Sequence, residues 1–219
     1  MIQISLSYVR IPIMIEVIDY EAGNLRSVSN ALTMLGYPHH ITQKPEDILN
    51  ASTVILPGVG AAGDAMSNLQ RLNLAQPVKK YVAAGRPFLG ICLGLQILMT
   101  KSEEGGVPCL DIIPGSVHLL PAGLKIPHMG WNQVKQIKAH PVFAGIPDNT
   151  NFYFVHSFYA APHQDSAVIG TTDYGISFCS VAAQGALVAA QFHPEKSGSW
   201  GLKFYDNFLR LAGESPVKN

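Results

Sequence analysis

The stretch Gly90-Ile91-Cys92-Leu93-Gly94-Leu95-Gln96 follows the apolar run Pro87-Phe88-Leu89 and opens a second one, Leu95 to Met99. A cysteine stands there with a glycine two residues before it and two after it. A strand that turns sharply into a helix crowds its flanks, and glycine tolerates that crowding. The spacing therefore predicts an elbow with Cys92 at a helix start, where free amides favour thiolate over thiol. A cysteine in an apolar run is otherwise a small buried hydrophobe. The two glycines bring presentation level with packing, and the decision rests on partners elsewhere in the chain.

On the N-terminal side of this elbow, strands and helices alternate. Ile15 to Asp19 reads as a buried strand, and Asn24 as the cap of a helix through Val28, Leu32 and Leu35 that stops at Gly36. His40 to Thr42 reads as a short strand. Thr53 to Leu56 is another, ended by Pro57-Gly58-Val59-Gly60, and helices follow over 61–72 and 76–84. Such alternation predicts a parallel sheet covered by helices. Beyond Lys101 the pattern turns to hairpins, with strands expected near 117–120, 134–137, 151–159, 167–171, 177–182 and 188–192. A last helix over 198–211 sets Trp200, Phe204 and Phe208 on one face. The whole is an α/β, three-layer fold of flavodoxin-like type, with a mostly parallel central sheet, flanking helices and a hairpin-rich second half.

Composition bounds the function. The chain has 219 residues, 47% of them hydrophobic and 14% charged, which fits one α/β domain with a real core. Lys+Arg and Asp+Glu both number 15, so nothing favours a nucleic-acid or acidic-membrane surface. Cys92, Cys109 and Cys179 are too few and too far apart for a disulfide framework or a zinc site, so a cytoplasmic protein without metal or cofactor is expected. The longest nearly apolar run, Pro87 to Met99, is too short to span a bilayer. Residues 1–13 precede a second methionine, Met14, where the patterned sequence begins. They read as an extension outside a single domain over 14–219.

A cysteine that attacks an amide needs a base, and the base needs an orienting group. Gln191-Phe192-His193-Pro194-Glu195-Lys196 supplies both, at the end of an apolar run. In an extended chain residues two apart share a side, so Glu195 can reach the His193 imidazole. A strand-end histidine beside a solvated glutamate is common. Paired with an elbow cysteine at the carboxyl end of another strand, it points to a triad. The amide of Leu93 is one oxyanion donor that an elbow provides. Val59 or Gly60 offers a second, although the same glycines suit a plain turn.

With these residues in place, the chain resembles the triad class of glutamine amidotransferases, whose signature is the elbow Gly-x-Cys-x-Gly with a late His-Pro-Glu. Within that class it looks like the glutaminase subunits that serve histidine biosynthesis. The segments that carry this likeness are Asp19-Tyr20 with Ala22-Gly23-Asn24, Pro57 to Ala61 leading to Gly63-Asp64-Ala65-Met66, Pro127-His128-Met129-Gly130-Trp131-Asn132, and His193 to Ser197. The resemblance implies hydrolysis of L-glutamine to glutamate and ammonia by Cys92, His193 and Glu195. It also implies that Gln96 and Glu104 hold the substrate headgroup. For Glu104 the plainer alternative is a solvated helix-end charge. Ammonia is largely protonated at neutral pH, so the resemblance implies a covering partner, a (β/α)8-barrel cyclase that makes imidazole glycerol phosphate. Asn24, His128, Met129, Trp131 and Lys196 are the expected contacts, with core packing the alternative for Met129 and Trp131. Glu21 stands where the family usually has glycine, and Pro108-Cys109-Leu110-Asp111 breaks its commoner Gly-Leu-Gly pattern. Another triad amidotransferase or a γ-glutamyl hydrolase would share the elbow and triad. A redox-sensing module would need only an oxidisable Cys92.

Overall fold

A computed structural model describes residues 14–217, so the expected extension over 1–13 lies outside the described residues. The first half alternates: β1 (Ile15–Ile18), α1 (Leu25–Met34), β2 (His39–Thr42), α2 (Pro45–Asn50), β3 (Thr53–Gly58), α3 (Ala62–Arg71), α4 (Ala75–Ala83), β4 (Phe88–Cys92) and α5 (Leu93–Gln96). Short strands β5 (Lys101–Ser102) and β6 (Val107–Pro108) follow, then β7 (Gly115–Leu119), β8 (His128–Gln136), β9 (Thr150–His156) and β10 (Phe158–Pro162). The chain continues through β11 (Val168–Asp173), β12 (Ser177–Gln184) and β13 (Leu187–Ala190) to α6 (Gly198–Leu211).

The main sheet has nine strands in the order β2-β1-β3-β4-β13-β12-β11-β8-β9. β2 to β13 along that order are parallel, and every pairing beyond β13 is antiparallel. The α/β class is as expected, but the sheet is mixed rather than mostly parallel, because the hairpin-rich second half joins it by antiparallel pairing. Strands β1, β3 and β4 are buried along their whole length, as parallel strands covered on both faces must be. One core packs α2, α3 and α4 against this sheet, and the other packs α1 and α6. A second sheet, β10-β7-β5-β6, was not foreseen. It arises because the run expected as one strand over 151–159 breaks at Ser157, and β10 leaves the main sheet to pair with β7.

Other local expectations are corrected. The Asn24 carbonyl accepts the first helical amides of α1, from Ser27 at 3.2 Å and Val28 at 3.3 Å, but its side chain makes no cap bond. Strand β8 begins at His128, six residues before the expected start, because His128 is buried and pairs with His156 across the ladder. In α6, Phe204 and Phe208 are buried while Trp200 is exposed, because Gly201 is the first-turn residue pressed inward. Among the described residues no helix is long and apolar enough to cross a membrane.

Candidate active site

The carboxyl ends of the central strands β3, β4 and β13 lie side by side, and the elbow stands at the middle one. Cys92 ends β4 with φ 55° and ψ −109°, a left-handed backbone that few side chains adopt. One turn of helix follows, Leu93–Gln96, shorter than the run to Met99 suggested. Gly94 explains how the turn fits. A Cβ there would lie 2.1 Å from the Leu56 carbonyl oxygen of β3, and one at Gly90 would lie 3.0 Å from the Gly94 oxygen. Gly94 is therefore required by close approach of backbone, and Gly90 stands where a Cβ would be crowded.

The His193–Glu195 pair forms, by a different local route. Pro194–Lys196 is a 3-10 turn rather than extended chain, and it folds Glu195 Oε1 back to 2.8 Å from His193 Nδ1. Both side chains are 1% exposed. The other ring nitrogen, Nε2, is buried and has no hydrogen-bond partner among the described residues. Burial disfavours a charged ring, but Cys92 and the Glu195 carboxylate outweigh it and raise the His193 pKa to about 10. His193 is thus held as imidazolium at neutral pH. Cys92 Sγ lies 3.8 Å from the Val155 oxygen and accepts from Gln191 Nε2 at 3.6 Å.

Cys92 opens onto a cleft of about 400 Å³, of a size for one small polar molecule. Val59, Gly60 and Leu93, the expected oxyanion residues, line it together with Gln96, Glu104 and Lys196. Gly60 takes φ +91°, so the loop after β3 needs glycine for its conformation. Gln96 Nε2 donates to the Phe158 carbonyl at 2.7 Å and to Gln191 Oε1 at 3.0 Å, which leaves its Oε1 to serve a ligand. Glu104 is no idle surface charge. Its Oε2 accepts from the Ala62 amide at the start of α3 at 2.7 Å, and its other oxygen is left for the cleft. His193 and Glu195 are absent from this lining and sit behind it.

The structure adds residues that sequence reasoning missed. His156, Ser157 and Phe158 form a further wall of the cleft, and Gln191 ties Gln96 to Cys92. The apolar rhythm near residues 151–159 marked a strand there, but nothing local marked its break at Ser157 as a cleft wall. His156 Nδ1 donates to the Phe158 carbonyl at 2.8 Å, so its Nε2 accepts from His128 Nδ1 at 3.0 Å. Burial, chiefly, lowers the His156 pKa to about 4, and the neighbouring His128 and His193 lower it further.

Of the expected partner contacts, Met129 is 60% exposed and Trp131 58% exposed on β8, and Lys196 is exposed beside the cleft. Asn24 is half-buried. His128 is corrected. It is buried, stacked on Tyr174 with ring centroids 4.0 Å apart and on Phe154 at 5.0 Å, and so belongs to the packing beneath that face.

The profile of the family described as "Glutamine amidotransferase class-I" matches residues 16–211. The chain belongs to this family. It is 54% identical to the imidazole glycerol phosphate synthase subunit HisH of Dehalococcoides mccartyi over 200 residues, 91% of this chain and 98% of that one. The corresponding subunit of Moorella thermoacetica is 52% identical over 90% of this chain and 94% of its own. Among solved structures, one titled as a glutamine amidotransferase matches with a TM-score of 0.73 at 20% identity, covering 91% of this chain and 99% of that chain. PurLQS from Thermotoga maritima matches at 0.71 and 19%, over 90% of this chain and 98% of that one. At these identities the structural matches speak for the fold. Glu21, with φ 64°, and Asp111, with φ 52°, are non-glycine residues in the left-handed region.

Proposed function

We propose that this chain is the glutaminase subunit of an imidazole glycerol phosphate synthase, with Cys92, His193 and Glu195 as its relay. The observation that carries this reading is the buried 2.8 Å bond from His193 to Glu195, set behind an elbow cysteine that opens on a cleft. The Cys92 thiolate attacks the side-chain amide carbon of L-glutamine. Leu93, with Val59 or Gly60, provides backbone amides for the oxyanion. Collapse breaks the C–N bond as His193 Nε2 gives its proton to the leaving nitrogen, and ammonia departs. The γ-glutamyl thioester remains. Water then attacks the thioester carbon, its proton passing to Nε2, and the C–S bond breaks to free glutamate. Gln96 Oε1 and the free Glu104 oxygen suit the substrate α-ammonium.

Ammonia released at this cleft is of use once it is kept from solvent. Exposed Val59 and Pro127 line the cleft, Ile126 is exposed next to Pro127 in the chain, and Met129 and Trp131 are exposed along β8. Trp131 packs edge-on against Tyr153, with centroids 6.0 Å apart, which holds it in place as an interface anchor. The relatives' name supports a synthase partner, and the proposed partner is a (β/α)8-barrel cyclase seated on these exposed residues. The test is Cys92→Ala in the complex with the cyclase. Glutamine-dependent synthesis is lost and synthesis from added ammonium salt is kept. Glutamine-dependent synthesis by the variant would refute the relay. Rapid glutamine turnover by the isolated chain, with no complex formed, would favour a γ-glutamyl hydrolase.

A further inference from the structure

Besides His193 Nε2, two further buried polar atoms behind the cleft lack partners of good hydrogen-bond geometry among the described residues, Glu195 Oε2 and the Tyr205 hydroxyl, and they belong to neighbouring side chains. Orphaned polar atoms in a dry interior are costly, and two that adjoin satisfy each other with a small adjustment. The fold has made room for this. Tyr205 is fully buried on α6, one helical turn after Gly201 and on the same face. A Cβ at Gly201 would lie 1.9 Å from the Pro194 carbonyl oxygen, so α6 rests directly on the turn that carries Glu195. The phenol is thereby carried down to the carboxylate.

We propose that Tyr205 is a positioning residue for the glutaminase reaction: its hydroxyl donates to Glu195 Oε2 and keeps Oε1 on His193 Nδ1. The Glu195 carboxylate is then gripped at both oxygens, one by the ring it orients and one by α6. Burial, with the adjacent Glu195 charge, raises the Tyr205 pKa well above its ordinary value, so the phenol keeps its proton across the working range. The titratable groups around the His193–Glu195 pair are Cys92 from the elbow, His156 from β9 and Tyr205 from α6. Tyr205 is the one of these that offers Glu195 a second donor. Residues that orient a ligand or base through one further bond commonly matter by tenfold or more.

This inference rests on the relay proposed above, and the two are separable by experiment. The measurement is steady-state glutamine hydrolysis by the cyclase complex, with Cys92→Ala as the control that reports on the relay itself. Tyr205→Phe keeps the ring in its packing, and its thermal transition verifies folding. We expect kcat to fall on the order of tenfold with KM within about twofold, and the alkaline limb of the pH profile to move to lower pH as the carboxylate loses its hold on the imidazolium. In the Glu195→Gln background, adding Tyr205→Phe should cost little more, since the phenol acts through the carboxylate. If Cys92→Ala abolishes hydrolysis but Tyr205→Phe leaves the alkaline limb in place, the positioning role is overturned whatever happens to the rate. If Tyr205→Phe costs as much without the Glu195 carboxylate as with it, the role is likewise overturned. Hydrolysis surviving in Cys92→Ala would instead overturn the relay.

Discussion

At the scale of single residues, His193 has two opposed influences acting on it, and their balance sets its charge. Burial alone would leave it neutral at pH 7. The adjacent Cys92 and the 2.8 Å bond to Glu195 reverse that and take its pKa to about 10. The sign follows directly: the ring carries its proton below that pH and loses it above. Glutaminase activity, which needs a proton to give to the leaving nitrogen, should therefore hold through neutral pH and decline only as pH approaches 10. A kcat/KM profile measured up to that pH, which reports groups of the free enzyme, checks this, and a decline centred near the ordinary histidine value would contradict it. The roles of Cys92, His193 and Glu195 were legible because each carries a pattern in its own neighbours. Gln191, His156 and Ser157 carry none. Their part comes from contacts across the fold, Gln191 with Gln96 and His156 with His128, which no local spacing announces.

At the scale of elements, the first half of the chain was readable because its apolar period switches cleanly between two and 3.6 residues. The helix α2 escaped notice because it is short and opens with Pro45-Glu46-Asp47, polar residues that read as a loop. The His-Pro-Glu segment was expected to bring its pair together through extended chain. A 3-10 turn does so instead, a geometry in which proline is equally at home at the first position. The elbow shows how tightly an element junction can be specified. With 2.1 Å between a notional Gly94 Cβ and the Leu56 oxygen, even one methyl group forces the start of α5 away from β3. Gly94→Ala should cost on the order of 3 kcal/mol in stability and remove most glutaminase activity, by chemical denaturation and ammonia release respectively. A variant of unchanged stability and activity would show that the elbow relaxes freely.

At the scale of the whole molecule, the sheet order places residues a hundred positions apart on adjacent strands. β4 delivers Cys92, β3 delivers the Val59–Gly60 loop, and β13 leads to His193, so the three parts of the chemistry converge at the carboxyl ends of adjacent central strands. The hairpin-rich half, whose strand boundaries were least legible, adds the far wall of the cleft and the exposed Met129–Trp131 face. The three cysteines occupy different environments. Burial pushes the Cys109 thiol up to about 11 and the Cys179 thiol up to about 12, while Cys92 lines the cleft. An electrophilic glutamine analogue, with a diazoketone in place of the side-chain amide, reads this difference directly. After incubation with the cyclase complex, peptide mass spectrometry should find one equivalent of adduct on Cys92, blocked by excess glutamine, with Cys109 and Cys179 unmodified. Adduct on either of those two, or none on Cys92 in protein that still hydrolyses glutamine, would contradict the account.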